Sequence, residues 1–371
     1  MRIAINCRSF LNKNYTGIGR YAYNLVKSLS EIDSRNEYWL YAQKKYFDFK
    51  RKVPRVPASN FAVKVDWLGQ GIAKTLSPID IYHSHSPYFI NIDRARVIVT
   101  VHDLVYKTYP EGHTPQTRET AEHQLIGIVD RADKIICCSQ STIHDLKQYF
   151  PFRKDQVCLV YQGVDKNIFY PLPDEERKVA RQVLAKKGLT GPFVLFVGTI
   201  EPRKNLQNLL LAFSILKNKK QFKGKLLVSG MKGWMIEGLE EVIRNFHLED
   251  DVIFPGYVSD DELRYFYNLC EVFVFPSFYE GFGFPIVEAF SCGAAVITSN
   301  VSSCPEIAGD AALIVNPYNP DEIAAAIVRV IEDAALMAGL KDKALKRAGN
   351  FSFLKNAEET LAVYQEVAAA K

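Results

Sequence analysis

Two clusters hold side chains of the kinds that bind charged groups and hydroxyls. In Gly198-Thr199-Ile200-Glu201-Pro202-Arg203-Lys204-Asn205 an arginine and a lysine are adjacent, directly after an apolar run at 193–197. Asn205 or a near neighbour is expected to cap the helix that follows, which puts both cations at a helix N-terminus. The helix dipole repels cations there, and an anion held by the free N–H groups relieves the conflict. Arg203 can fork two phosphate oxygens while Lys204 acts as a point charge; the competing reading is a solvated pair. The second cluster follows the apolar run 272–275 and reads Glu280-Gly281-Phe282-Gly283-Phe284-Pro285-Ile286-Val287-Glu288. Gly281 and Gly283 let backbone come close to a ligand, and Pro285 suits the first turn of a helix. The carboxylates Glu280 and Glu288 are suitable acceptors for vicinal sugar hydroxyls. On the plainer reading Glu288 complements a helix dipole and Glu280 is solvated.

The first half is less explicit. His102-Asp103 ends the apolar run 97–101, where a parallel sheet presents residues to a ligand; a structural histidine is the other reading. His83-Ser84-His85 has a spacing that suggests a metal, but no carboxylate or cysteine accompanies it, and no metal is expected. Gly17-Ile18-Gly19-Arg20-Tyr21-Ala22 matches the G-x-G-x-x-A outline of dinucleotide sites, yet about ten residues separate it from the run 2–6, too many for the tight turn of that motif. It reads instead as a glycine loop opening a helix toward a phosphate or an acceptor. No two aspartates are spaced D-x-D, so charge on a leaving diphosphate must be met by Arg, Lys and helix N-termini. From Lys44 to Arg55 six cations alternate with Tyr46, Phe47 and Phe49. That segment suits an anionic membrane surface or a lipid-linked phosphate, and equally a solvated basic loop.

Rigid elements must position these residues. Short β-branched runs alternate with longer amphipathic segments, the pattern of parallel α/β sheets. Strands are predicted at 2–6, 37–41, 61–65, 79–82, 97–101, 134–137 and 157–160, with helices at 19–30, 115–131 and 141–150. The stretch 161–174, with Gly163, Pro171 and Pro173, reads as a linker. Beyond it the alternation restarts, with a helix at 175–187 and strands at 193–197, 225–229, 252–254, 272–275, 294–298 and 312–315. Ser259 and Glu262 have capping-box spacing, Asn319-Pro320 opens another helix, and 352–369 reads as one long terminal helix.

A chain of 371 residues suggests two domains. Hydrophobic content of 48% and charged content of 24% are ordinary for a globular protein. A net charge of +4 is too mild to imply nucleic acid. Seven scattered cysteines without a C-x-x-C pair fit buried thiols in a reducing compartment. The apolar start at 2–6 is too short for a signal peptide, and no stretch reaches the ~20 apolar residues of a membrane span. A cytoplasmic protein is expected, with peripheral contact at the inner face of the membrane left open.

The second-half motifs resemble those of the large family 4 of retaining glycosyltransferases with the GT-B fold, and the resemblance extends over nearly the whole chain. Its most specific parts are the segments 198–205, 280–288 with E-x7-E spacing, and 302–309. The resemblance implies two Rossmann-like domains facing each other across a cleft. An acceptor domain would occupy 1–168, with the helix 352–371 crossing back onto it, and a nucleotide-sugar donor domain 175–350. It implies that Arg203 and Lys204 bind the donor diphosphate, that Glu280 contacts the donor sugar, and that Gly281, Phe282 and Gly283 offer backbone N–H groups. Glu288 would hold the ribose and Val258 would lie near the base. His102 would stand by the transferred sugar, and Gly17 and Gly19 would line the phosphate. Together with Lys232-Gly233-Trp234, the segment 198–205 is most similar to bacterial mannosyltransferases of O-antigen and related polysaccharides. GDP-mannose is therefore the expected donor, a saccharide or polyprenyl-linked molecule the acceptor, with no cofactor and no metal. The alternatives are a UDP-sugar donor (glucose or N-acetylglucosamine), a nicotinamide-dependent oxidoreductase resting on Gly17-x-Gly19, a non-catalytic sugar-nucleotide-binding subunit, and a GT-B epimerase or phosphorylase.

Overall fold

Apolar runs buried on both faces belong in parallel sheets covered by helices on each side, and the chain builds two such sheets. The structure, a computed structural model, describes residues 1–11, 17–44, 56–85, 92, 95–112, 114–153, 155–231, 238–256 and 258–370. Thr16, the basic segment beyond Lys44 as far as Arg55, Lys232-Gly233-Trp234 and Tyr257 lie outside the described residues.

The chain divides into two units, Met1–Gly163 with Ser352–Lys371, and Val164–Phe351. In the first, the elements run β1 Arg2–Asn6, α1 Gly17–Ile32, β2 Glu37–Gln43, β3 Phe61–Asp66, α2 Ile72–Thr75, β4 Ile81–Ser84, β5 Arg96–Val101, α3 Val105–Thr108, α4 Pro115–Arg131, β6 Lys134–Cys137, α5 Gln140–Tyr149 and β7 Val157–Leu159. The second has α6 Asp174–Lys186, β8 Phe193–Val197, α7 Leu206–Asn218, β9 Lys225–Ser229, α8 Leu239–Asn245, β10 Val252–Ile253, α9 Asp260–Leu269, β11 Val272–Phe275, α10 Phe284–Ser291, β12 Val296–Ser299, α11 Cys304–Ala308, β13 Leu313–Val315, α12 Pro320–Glu332 and α13 Ala334–Ala348. The last helix, α14 Phe353–Ala369, belongs to the first unit, where it packs along α1.

Both sheets are parallel and doubly wound, in the orders β3-β2-β1-β4-β5-β6-β7 and β10-β9-β8-β11-β12-β13. The winding reverses between β1 and β4 in one and between β8 and β11 in the other. Loops leave such a reversal in opposite directions, and the crevice this opens at the strand C-termini is where ligands bind in these sheets. Leu195 pairs with Phe273 across the second reversal and Ala4 with Tyr82 across the first. The second unit's core gathers Phe196, Phe213, Val274, Ile297 and Ile327, all fully buried.

Several boundaries follow directly from side-chain chemistry. Thr114 caps α4 with Pro115 at its first position, Ser259 and Glu262 close a capping box on α9, and Asn319 caps α12. The segment read as a linker is not a loose connection from 164 onward. Phe169 packs edge-on against Tyr267, the Ile168 carbonyl accepts from Arg264, and the Leu172 amide donates to Asn268, so 164–172 lies on α9. Residues 164–168, assigned to the first domain from sequence, therefore travel with the second unit.

Candidate functional site

The loops after β8 and β11 carry the second unit's charged residues to one place. Arg203 and Lys204 lie in a single turn of 3-10 helix, Pro202–Lys204, just ahead of α7. Asn205 does not cap α7 with its side chain, contrary to expectation. It adopts a left-handed backbone (φ 60°) and its amide donates instead to the carbonyls of Pro276 and Pro317, at 2.9 and 2.7 Å. That exchange ties the β8 loop to the loops after β11 and β13. A further link runs from the Phe278 amide to the Arg203 carbonyl at 2.8 Å, and Arg203 Nη1 donates to the Tyr279 carbonyl at 3.1 Å.

The result is a cluster of four charges. Lys204 Nζ lies 2.5 Å from Glu280 Oε1, Arg203 Nη1 3.0 Å from Glu280 Oε2, and Arg203 Nε 2.6 Å from Glu201 Oε1. Glu201, Lys204 and Glu280 are buried. Lys204 also sits over the Phe275 ring, 4.9 Å from its centroid. The two cations thus have carboxylate partners, and Glu280 is neither solvated nor free of them. Burial raises the Glu280 carboxyl, but the Lys204 ammonium and the Arg203 guanidinium outweigh it and hold the group below its ordinary range. Burial pushes the Lys204 ammonium down, and Glu280 acts against that shift.

The turn after β12 fixes the Glu280 loop from below. The Glu280 amide donates to Ser302 Oγ at 2.9 Å, and Ser303 Oγ reaches the carbonyls of Glu280 and Phe282 at 3.0 and 2.9 Å. Gly283, at φ 101°, holds a left-handed backbone that a side chain rarely adopts, and it starts α10. The Phe282 ring is buried edge-on to Phe284 and Phe351, which leaves only its backbone for a ligand. Glu288, in α10, is buried and accepts from Tyr267 Oη at 3.0 Å. Val258 is half-buried immediately ahead of the α9 cap.

In the first unit the strand ends carry imidazoles. His83, next to last in β4, has Nδ1 2.7 Å from Tyr364 Oη of α14 and Nε2 2.9 Å from Thr100 Oγ1. His85 stacks edge-on to His83, and Tyr21 of α1 stands edge-on to both His85 and His102. Among the described residues, neither ring nitrogen of His85 nor Nε2 of His102 has a hydrogen-bond partner, and all three atoms are buried. Burial holds His83 at about 3 and His102 at about 4, and it pushes His85 far below the usual histidine range. All three rings are neutral at physiological pH. Gly17 and Gly19 form the first turn of α1, two residues before Tyr21 in the case of Gly19. Among the described residues no group of three His, Cys, Asp or Glu is arranged to hold a metal ion, and no helix is long and apolar enough to cross a membrane.

Comparison with known proteins decides what these edges belong to. Residues 15–167 match the model of glycosyltransferase family 4 and residues 177–347 that of the glycosyl transferases group 1. The chain is 31% identical to the O-antigen chain mannosyltransferase B of Escherichia coli, over 94% of this chain and 96% of that protein. The chain belongs to glycosyltransferase family 4. Its fold is GT-B: sucrose-phosphate synthase from Thermosynechococcus elongatus superposes with a TM-score of 0.82 at 20% identity, covering 100% of each chain. Anabaena HepE in complex with UDP-glucose superposes with 0.77 at 20% identity, over 99% of this chain and 100% of that one.

Sequence reading of this glycosyltransferase named Arg203, Lys204 and Glu280 separately and missed that they contact one another. It also passed over Glu201, Ser302, Ser303 and Tyr267 as partners. A signal was available for the contact, since both segments follow apolar runs read as strands of one parallel sheet, whose C-terminal ends lie along one edge. None was available for Tyr267, whose place beside Glu288 depends on how α9 packs on α10.

Proposed function

We propose that this glycosyltransferase is a retaining α-mannosyltransferase that moves mannose from GDP-mannose to a saccharide or polyprenyl-linked acceptor in cell-surface polysaccharide synthesis. The observation that carries the donor is the 31% identity, over 94% of the chain, to a mannosyltransferase of O-antigen chains. The charge cluster supports the chemistry. Arg203 and Lys204 are held against Glu280, which serves as their counter-anion. A diphosphate entering there takes over the two cations, and the Glu280 carboxylate turns to the sugar hydroxyls.

In the reaction the bond from the anomeric carbon to the diphosphate oxygen breaks, and a bond to the acceptor oxygen forms on the same face. The acceptor proton passes to the departing phosphate oxygen. Charge growing on the leaving group meets cations already in place, so little reorganisation is needed as the bond breaks. The chain has no D-x-D pair, so in this reading side chains and N–H groups carry that load. Glu288 takes the ribose hydroxyls, Val258 lies by the base, and Gly281, Phe282 and Gly283 supply N–H groups. In the first unit Gly17 and Gly19 offer N–H groups to the phosphate, and His102 meets the transferred sugar. The protein works in the cytoplasm.

A thermal-shift panel of GDP-mannose, UDP-glucose, UDP-N-acetylglucosamine and UDP-galactose tests the donor. A ligand at 100 times its Kd stabilises a fold by about 2.7 kcal/mol, so GDP-mannose is expected to raise the melting temperature most. Protection by a UDP-sugar alone would move the donor to that sugar. Proton NMR of the product tests retention, which a β-linked mannoside would exclude.

A further inference from the structure

Among the described residues the imidazole of His102 has one side-chain hydrogen-bond partner, and the chemistry of that contact bears on what the ring can do. Gln162 Nε2 lies 2.7 Å from His102 Nδ1. A carboxamide nitrogen only donates, so Nδ1 must be the acceptor and the ring proton must sit on Nε2. That nitrogen is buried and has no hydrogen-bond partner among the described residues. We propose that Gln162 is a positioning residue that fixes His102 as the Nε2–H tautomer, an uncharged donor for an oxygen of the substrate that cannot serve as a base at Nε2. The proposal rests on the reading that His102 meets the transferred sugar, and it completes that reading: a ring that donates at Nε2 leaves the acceptor proton to the departing phosphate.

Gln162 is itself held from the end of the chain. It is buried, at 2% exposure, two residues after Val160, whose amide donates to the Cys137 carbonyl at 3.0 Å. On one side of it Asn356 of α14 donates its amide to the Tyr161 carbonyl at 2.8 Å. On the other, Gly163 lies so close to α14 that a Cβ there would overlap the backbone of Ser352 and Phe353. Residues 161–163 are therefore seated on the first turn of the terminal helix, which Ser352 caps. The backbone of His102 is fixed as well, since its carbonyl accepts from Cys138 Sγ at 2.9 Å and Thr142 Oγ1 at 3.3 Å. Ring and backbone are thus located from two directions, and the partner on one ring nitrogen sets the state of the other.

Long-range proton–nitrogen NMR on the full chain, labelled with 15N only in histidine, reads the tautomer directly. The His102 signals are those lost in His102→Asn. In the wild type, Nδ1 is expected in the unprotonated range and Nε2 in the protonated range at pH 7.5. In Gln162→Glu the carboxylate only accepts, so the proton moves to Nδ1 or the ring becomes cationic; in Gln162→Leu both tautomers appear. A wild-type ring protonated on Nδ1, as an amide turned end for end would give, overturns the proposal, and so does a Gln162→Glu spectrum identical to wild type. Transfer assays give the second readout. Gln162→Glu is expected to lower kcat by about 10- to 100-fold, by analogy with replacing the hydrogen-bond partners that orient metal-bound histidines, with donor KM changed less than about threefold. If His102→Ala transfers sugar at the wild-type rate, the reading of His102 at the sugar fails, whatever the tautomer spectra show.

Discussion

At the strand C-termini of the second unit, four ionised side chains are in contact, three of them buried. At the same edge of the first, burial keeps three imidazole rings neutral, two of them edge-on to Tyr21 and the third to Tyr364. The two edges arise from the same architecture, a winding reversal in a parallel sheet, so the topology does not account for the contrast. On the proposed reading it lies in the ligand each edge meets. A departing diphosphate needs fixed cations, and fixed cations in a buried place need counter-anions until it arrives. A sugar hydroxyl can be met by neutral donors and acceptors, and burial keeps the imidazoles in that form by suppressing protonation. On the proposed reading, charge is concentrated where it develops in the reaction and withheld beside the transferred sugar.

Breaking the charged edge is expected to have the largest effect. Lys204→Met leaves Glu280 buried with Arg203 alone, and removing one member of a buried pair costs about 3–5 kcal/mol. Transfer should fall by about 10²-fold or more, by analogy with the loss of one preorganised donor. The double variant Lys204→Met with Glu280→Gln sharpens the point, since a neutral pair of similar size should recover most of the stability in urea unfolding while transfer stays lost. If the double variant is no more stable than Lys204→Met, the two groups are not energetically coupled and the counter-anion role of Glu280 is refuted.

The neutral edge breaks with acid. An unfolded histidine titrates near 6.5, and His83 and His102 in the folded chain titrate only at about 3 and about 4. Between those values the unfolded state binds more protons than the folded one, so stability is full above 6.5 and is lost as pH falls toward 3. Each such ring costs up to about 1.4 kcal/mol per pH unit in that window. The first unit should therefore lose stability faster than the second between pH 6.5 and 5, before carboxylates such as Glu280 are protonated in either state. Hydrogen exchange of core amides in β5 and β11, followed against pH, measures the two units separately. Equal loss in both would mean that the histidines do not control the acid response.

How legible each edge was in the sequence differs for the same reason. The strands were read almost to the residue where both faces are buried, as at 134–137, 193–197 and 272–275, because such runs are continuous and apolar. Arg203, Lys204, Glu280 and Glu288 stood out because charge is rare beside such runs. What stayed hidden was pairing. The contact of Lys204 with Glu280 spans 76 positions, and Asn205 was read as a cap because asparagine usually is one, whereas tertiary contacts drew its amide to Pro276 and Pro317. The first unit's histidines were legible only as strand ends. Their mutual stacking, and the hold of Tyr364 on His83 across 281 positions, come from a helix that returns from the far end of the chain.

The smallest test concerns a group that links charge to packing within the second unit. Tyr267 is fully buried and sits edge-on to Phe169 and Phe273, so its ring is fixed by the core. Its hydroxyl donates to Glu288 Oε2, which leaves the orientation of that carboxylate set from the α9 side. Tyr267→Phe keeps the ring and deletes only the donor, and a single hydrogen bond of this kind is worth about 1 kcal/mol net. If Glu288 holds the ribose, a carboxylate that has lost this donor should weaken donor binding by about fivefold, the equivalent of that energy. The cost should appear in donor KM with kcat nearly unchanged, because the ribose contact is made equally in ground and transition states. A fall in kcat at constant KM would mean instead that Glu288 acts on the reacting sugar, and unchanged kinetics with a lowered melting temperature would reduce Tyr267 to a packing residue.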